Sequence, residues 1–174
     1  PSLIPDPTVV YSTPSTSGSL RYTPVADASG TATITVTVTD AGADNQLATT
    51  GDNLTTSQQF TVNVGSVNDT PTLNMLADHT IDEDSPQQTA NFSGVTAGPG
   101  ETQHLRVTAS SSNTALVPDP AVSYTSAEAT GSLTYTPLPN AFGSAIITVT
   151  VTDGGADNNL ATAGDNGSIN RQFN

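Results

Sequence analysis

One stretch of the chain occurs twice, and this internal repeat limits what the chain can fold into. Residues 3–60 return as residues 116–173 without a gap. The run ITVTVTDAGADNQLATTGDN, for example, returns almost unchanged as ITVTVTDGGADNNLATAGDN. The period of about 113 residues is the usual size of one domain. We therefore expect roughly one and a half copies of one domain type. They would be a window from a longer protein, or units that neighbouring chains complete by strand donation.

The repeated stretch predicts β-strands, because apolar and polar residues alternate with a period of two. In residues 31–40 the apolar side chains share one face and threonines occupy the other, and residues 145–151 repeat this pattern. Gly, Pro, Asn and Asp clusters separate such runs, and no helical pattern is present. About seven short strands in each repeat predict an antiparallel β-sandwich. The other candidate strands are residues 9–13, 18–24, 59–64, 72–81, 89–95, 104–110, 122–126 and 131–137.

The composition excludes several classes of function. The formal net charge is -13, with 16 acidic residues, three arginines and no lysine. We expect no nucleic-acid partner, because little here could neutralise a phosphate backbone. No apolar run reaches membrane-spanning length, so we expect no direct membrane insertion. The chain has no cysteine, no repeated histidine and no nucleophile motif. We therefore expect that it is not an enzyme.

Aspartates cluster in the loop that follows the threonine-rich strand. Carboxylates that are crowded into one Gly-rich loop repel one another unless a cation lies among them. Oxygen ligands of this type suit calcium, although the spacing differs from that of an EF-hand. A polar hairpin loop with turn-forming Asp and Asn is the alternative interpretation. The candidate ligands are Asp153, Asp157 and Asp165 with Asn158, and in the first copy Asp40, Asp44 and Asp52 with Asn45.

The order of three short motifs resembles a known class of repeat. A strand ending in TVTD is followed by a last strand, by the linker VNDTP and then by the acidic tract DEDSP. This order is similar to that of tandem Ig-like or cadherin-like repeats in large bacterial surface proteins. The resemblance implies that residues 1–66 are the C-terminal part of one Ig-like repeat. Residues 67–174 would be a second Ig-like repeat that lacks its last strand.

The resemblance also implies a function and a set of calcium ligands. Repeats of this kind form stalks, filaments or adhesins outside the bacterial cell, and calcium at the junctions between domains stiffens them. The expected partners are further copies, head to tail, or the continuation of the same chain. Carried over residue by residue, the junction ligands are Asn68, Asp69, Glu83, Asp84 and Asp153, with Asp40 as the first-copy equivalent of Asp153.

A binding module is the second hypothesis for function. Loops of an adhesin domain could bind a glycan or a protein on a cell surface. Aromatic residues make up only 5% of the chain. This disfavours a binding module, because sugar-binding surfaces usually need exposed aromatic rings. The near identity of the two copies also favours a spacer. Structural repeat, binding module and enzyme therefore rank in that order.

Overall fold

A computed structural model describes residues 3–174, and in that range the chain is all-β with antiparallel sheets. The chain divides into two compact units, with the boundary between Ser66 and Val67. No helix within residues 3–174 is long and apolar enough to cross a membrane. The ten strands of the described residues are β1 Thr8–Val10, β2 Ser19–Arg21, β3 Gly30–Thr39, β4 Thr55–Val64, β5 Gln88–Ser93, β6 Leu105–Ser111, β7 Ala121–Ser123, β8 Thr130–Tyr135, β9 Ile147–Asp153 and β10 Ser168–Phe173.

The second unit contains two three-stranded sheets with a shared core. One sheet has the order β10-β9-β6 and the other the order β5-β8-β7. Alternate residues of both sheets meet in one apolar cluster, in which Leu133 of β8 and Val149 and Val151 of β9 are completely buried. β9 alternates between buried and half-buried positions along its whole length. This arrangement is consistent with a β-sandwich.

The first unit contains two separate ladders, β1 with β2 and β3 with β4. Its strand pairs follow the same register as those of the second unit. Ile34 lies opposite Phe60, as Ile147 lies opposite Phe173 about 113 positions later. Likewise, Thr8 lies opposite Arg21, as Ala121 lies opposite Thr134. The repeated sequence therefore gives the same local strand pairing in both places.

Burial differs sharply between the two copies. Val38 is 61% exposed, whereas its counterpart Val151 is 0% exposed, and Phe60 is 40% exposed against 3% for Phe173. The cause is that residues 3–66 hold no counterpart of β5 and β6. In the second unit β6 pairs with β9, and β5 pairs with β8. The alternating pattern predicts a buried face for Val38, and this prediction is wrong for that residue.

The strand predicted over residues 72–81 is not formed as a continuous ladder. Thr72 makes an isolated bridge with Thr96, and the Asn74 backbone N–H donates to the Ser93 carbonyl oxygen at 3.0 Å. Further along, the His79 N–H donates to the carbonyl oxygen of Asn174 at 2.7 Å. The start of the segment therefore bonds to residues at or just after the end of β5, and its later part bonds to the residue that follows β10. Because these strands belong to different sheets, neither bonding pattern extends into a strand.

Candidate metal centre

Asp153 organises the acidic loop of the second unit through backbone hydrogen bonds. It is the last residue of β9 and is completely buried. Its Oδ1 atom accepts hydrogen bonds from the backbone N–H groups of Gly155 at 2.9 Å and Gly167 at 2.8 Å. These bonds tie the two ends of the loop to the end of the strand. The Oδ2 atom is also buried and has no hydrogen-bond partner among the described residues.

Asp40 holds the corresponding loop of the first unit in the same way. Its Oδ1 atom accepts from the Gly42 N–H at 3.0 Å and from the Leu54 N–H at 2.9 Å. The Leu54 bond, followed by the Gly42 bond, lowers the pKa of Asp40 below its ordinary value. Unlike Asp153, Asp40 is exposed to solvent. Both aspartates therefore organise a loop, but only Asp153, in the second unit, is buried.

The remaining loop aspartates also accept backbone N–H groups. Asp52 Oδ2 accepts from Ala43 at 2.7 Å, and Asp165 Oδ2 accepts from Asp157 at 3.3 Å. Oδ1 of Asp44 and Oδ1 of Asp157 each accept from the residue two positions later, at 2.9 Å. The contacts of Asp44 and Asp157 are typical of turn-forming aspartate. Those of Asp52 and Asp165 instead reach across the loop, to a residue 9 or 8 positions earlier. The turn interpretation thus accounts for one oxygen of Asp44 and of Asp157 only.

Asn68 links this loop to the first residues of the second unit. Its Nδ2 group donates to Asp153 Oδ1 at 3.3 Å and to the Asp165 carbonyl oxygen at 3.1 Å. Its Oδ1 atom accepts from Gln103 Nε2 at 2.7 Å. The next residue, Asp69, donates its backbone N–H to Glu101 Oε2 at 3.1 Å. Asn68, a ligand implied by the resemblance, therefore contacts Asp153 and Asp165, whereas Asp69, a second implied ligand, contacts Glu101.

Several oxygens in this network are buried without a hydrogen-bond donor. They are Asp153 Oδ2, Asp165 Oδ1, Glu101 Oε1 and Gln103 Oε1. A buried polar atom left unpaired costs about 1–3 kcal/mol, and more when it is charged. Oxygens of carboxylate and amide groups are the ligands that calcium binds. These oxygen ligands therefore fit calcium and do not fit zinc, which prefers nitrogen and sulfur ligands.

The acids alone do not form a metal cluster. Within the described residues 3–174, no group of three His, Cys, Asp or Glu side chains lies in position to hold a metal ion. An ion in the Asn68 network would therefore need amide, backbone or water oxygens besides the carboxylates. Calcium accepts such mixed shells of six to eight oxygens.

Glu83 and Asp84 lie away from this network. Asp84 Oδ1 accepts the backbone N–H of Asn140 at 2.9 Å, and Glu83 is exposed nearby. Glu83 and Ile147, the first residue of β9, line the same cavity, whereas Asp153 is the last residue of β9. A strand of that length spans about 20 Å at about 3.3 Å for each residue. The structure therefore does not bring Glu83 and Asp84 to Asn68 and Asp153.

Glu101 and Gln103 are the network members that loop spacing could not identify. They follow Asn68 by more than thirty residues and have no counterpart in the first copy. From sequence, Glu101 in the run GPGETQ is a turn acid or, as the less favoured alternative, the cap of a calcium site in a neighbouring loop, and Gln103 carries no charge. Only the folded position of this segment against Asn68 reveals their contacts.

No family model, curated protein or solved structure matches the chain.

Proposed function

We propose that the chain is a structural repeat of a bacterial extracellular filament, stalk or adhesin, in which calcium stiffens the junctions between tandem Ig-like units. The observation that carries the proposal is the recurrence of local strand pairing. The register of β3 with β4 recurs in β9 with β10, and the loop bonds of Asp40 recur at Asp153. A repeated sequence with repeated local pairing suits a spacer, in which each unit adds length.

Calcium would act at the Asn68 network. Asp153, Asp165 and Glu101 would supply carboxylate oxygens, and Gln103 an amide oxygen, because each has a buried oxygen without a donor. The ion would neutralise the carboxylates and hold them together. It would also order residues 68 and 69, which follow the unit boundary directly. The linker would then be fixed to the second unit at its first residues, which would restrict bending there.

Partners and location follow from the same role. The chain would associate head to tail with further copies or form part of a longer chain of repeats. The acidic, cysteine-free composition suits an extracellular surface where calcium is abundant. Without calcium, repulsion between the carboxylates would loosen the junction.

Small-angle X-ray scattering of the full chain tests the stiffening. In calcium the parent should have a larger and better-defined maximum dimension than in a chelator. Asp69→Ala should lose this response, because it removes the carboxylate of a ligand that the resemblance implies, in the residue that follows Asn68 and whose backbone N–H bonds to Glu101. Asp6→Ala removes one charge elsewhere and should keep the response. The same scattering curve for Asp69→Ala and the parent in calcium would refute the assignment.

A further inference from the structure

The chain contains one Asn-Gly pair, Asn166–Gly167, in the acidic loop of the second unit. An asparagine that precedes glycine is the kind most prone to deamidation. Glycine has no side chain to hinder its backbone nitrogen from reaching the amide carbon of the asparagine. The first copy has Asn53 and Leu54 at the equivalent positions. The same loop therefore occurs with a reactive pair in one copy and a hindered pair in the other.

In the folded loop, the nitrogen of Gly167 is held in a different bond. Its N–H donates to Asp153 Oδ1 at 2.8 Å, and the Gly167 carbonyl oxygen accepts from the Asp153 N–H at 3.1 Å. Asp153 is completely buried, so water does not compete for this contact. Deamidation requires the glycine nitrogen to lose its proton, and a hydrogen bond to a carboxylate opposes that loss. Asp153 therefore protects the pair while the loop is closed.

The side-chain amide of Asn166 is itself part of the loop structure. In the orientation that satisfies both of its polar atoms, Nδ2 donates to the carbonyl oxygens of Thr162 at 3.0 Å and Gly154 at 3.3 Å. The opposite orientation gives one bond instead, from Nδ2 to the Leu160 carbonyl oxygen at 3.3 Å. In either orientation the amide nitrogen donates to carbonyl oxygens. A carboxylate at this position has no hydrogen to donate and would repel those oxygens.

We infer that Asn166 is a deamidation site, which Asp153 protects until the loop opens and whose modification then loosens the loop. Solvent base removes the proton of the freed Gly167 nitrogen, and this nitrogen bonds to the side-chain amide carbon of Asn166. The amide nitrogen takes up a proton and leaves as ammonia. Water then opens the cyclic imide at either of its ring carbon–nitrogen bonds, so that the product is aspartate or isoaspartate.

Both products disturb the loop. Each removes the donor at residue 166, and isoaspartate also lengthens the main chain between residues 166 and 167 by one carbon atom. The Gly167 N–H would then no longer be aligned with Asp153. The inference goes beyond the proposed function and requires no calcium.

Site-resolved mass spectrometry of the full chain tests the inference, with the chain kept in a chelator at mildly alkaline pH. In urea that unfolds the chain, Asn166 should convert well ahead of Asn53. In the folded parent, conversion of Asn166 should be slower by at least about tenfold, because only molecules with an open loop react. Equal conversion of Asn166 in the folded and unfolded chain would overturn the inference.

Asp153→Thr tests the protecting bond. It replaces a charged acceptor with a neutral one, suits the end of a strand and creates no new Asn-Gly pair. Bonds to charged groups are roughly twice as strong as neutral ones, so conversion of Asn166 should accelerate by about tenfold. The matched control is Asp119→Thr, because Asp119 Oδ1 also accepts a backbone N–H, that of Ser111 at 2.8 Å. No acceleration by Asp153→Thr, or equal acceleration by Asp119→Thr, would contradict the assignment.

Hydrogen exchange in the parent keeps the test independent of how any variant folds. Exchange of the Gly167 N–H and conversion of Asn166 both require the bond to Asp153 to break. In increasing urea below the unfolding transition, the two rates should therefore rise in proportion. Conversion that does not follow exchange would refute the proposed protection.

Asn166→Asp tests the effect of the modification, since it supplies one of the two products directly. The Gly167 N–H of this variant should exchange severalfold faster than that of the parent, whereas Asn166→Gln, which keeps an amide donor, should change the rate less. Unchanged exchange in Asn166→Asp would overturn the loosening of the loop. Because every assay contains a chelator, these results and those on calcium binding stand or fall separately.

Discussion

Truncating one valine in each copy provides the sharpest test of the different burial of the two units. Val151 and Val38 occupy the same position of the run TVTVTD, but Val151 is 0% exposed and Val38 is 61% exposed. Val151→Ala removes two buried carbons, worth about 1.6 kcal/mol at about 0.8 kcal/mol each. A residual cavity raises the expected loss to about 2–3 kcal/mol. Val38→Ala should cost about 0.5 kcal/mol or less, as exposed substitutions usually do.

Thermal unfolding followed by circular dichroism measures the effect. For a unit of about 100 residues, 1 kcal/mol shifts the midpoint by about 4–8 °C, so Val151→Ala should lower it by roughly 8–24 °C. Hydrogen exchange read by mass spectrometry assigns each transition to its unit. The local sequence is the same, so any difference in strand propensity cancels between the two variants. Equal destabilisation by both substitutions would refute the burial argument.

Two further predictions use matched positions or pH. Gly131→Ala should destabilise the second unit by about 1–3 kcal/mol, because a Cβ atom there would overlap the Phe92 ring and lie 2.8 Å from the Ser123 carbonyl oxygen. The matched control in the first copy is Gly18→Ala, whose Cβ atom would meet its nearest atom at 3.2 Å. It should cost clearly less in the same thermal melts. The lowered pKa of Asp40 means that its bonds to Leu54 and Gly42 stabilise the loop above the ordinary pKa of aspartate and are lost as pH falls through the lowered value. The protection factor of the Leu54 amide, measured by NMR exchange and corrected for the intrinsic rate at each pH, should therefore fall only in acid, and an Asp40→Asn chain should lose this pH dependence.

Which residues share a face of a strand is readable from sequence, because side chains alternate with a period of two. The sequence itself also repeats. The register of β3 with β4 therefore recurs in β9 with β10. Burial is not readable in the same way. Identical runs place Val38 in solvent and Val151 in the core, and the difference depends on strands β5 and β6, which have no counterpart among the described residues 3–66. Local sequence carries no information on that distant partner.

The residues of the candidate site could likewise be predicted from sequence only in part. Asp153 and Asn68 could be identified from the strand end and the linker, since both belong to short motifs. Glu101 could be proposed only as the less favoured alternative to a turn acid, and Gln103 could not be identified, because their contacts with Asp69 and Asn68 arise from a loop distant in sequence. The grouping of Glu83 and Asp84 with Asn68 rested on resemblance alone, and the length of β9 separates them.

Isothermal titration calorimetry of calcium into the full chain, paired with melts of Asp153→Asn, tests the central claim most directly. The parent should bind calcium in preference to magnesium, and its unfolding midpoint should rise with calcium. Asp153→Asn should lose this binding and be less stable than the parent in calcium. In a chelator it should be at least as stable as the parent, because a buried charge without a cation is removed. No binding heat, with the same parent midpoint in calcium and in chelator, would contradict the account and leave the acidic side chains as loop-forming residues of a passive spacer.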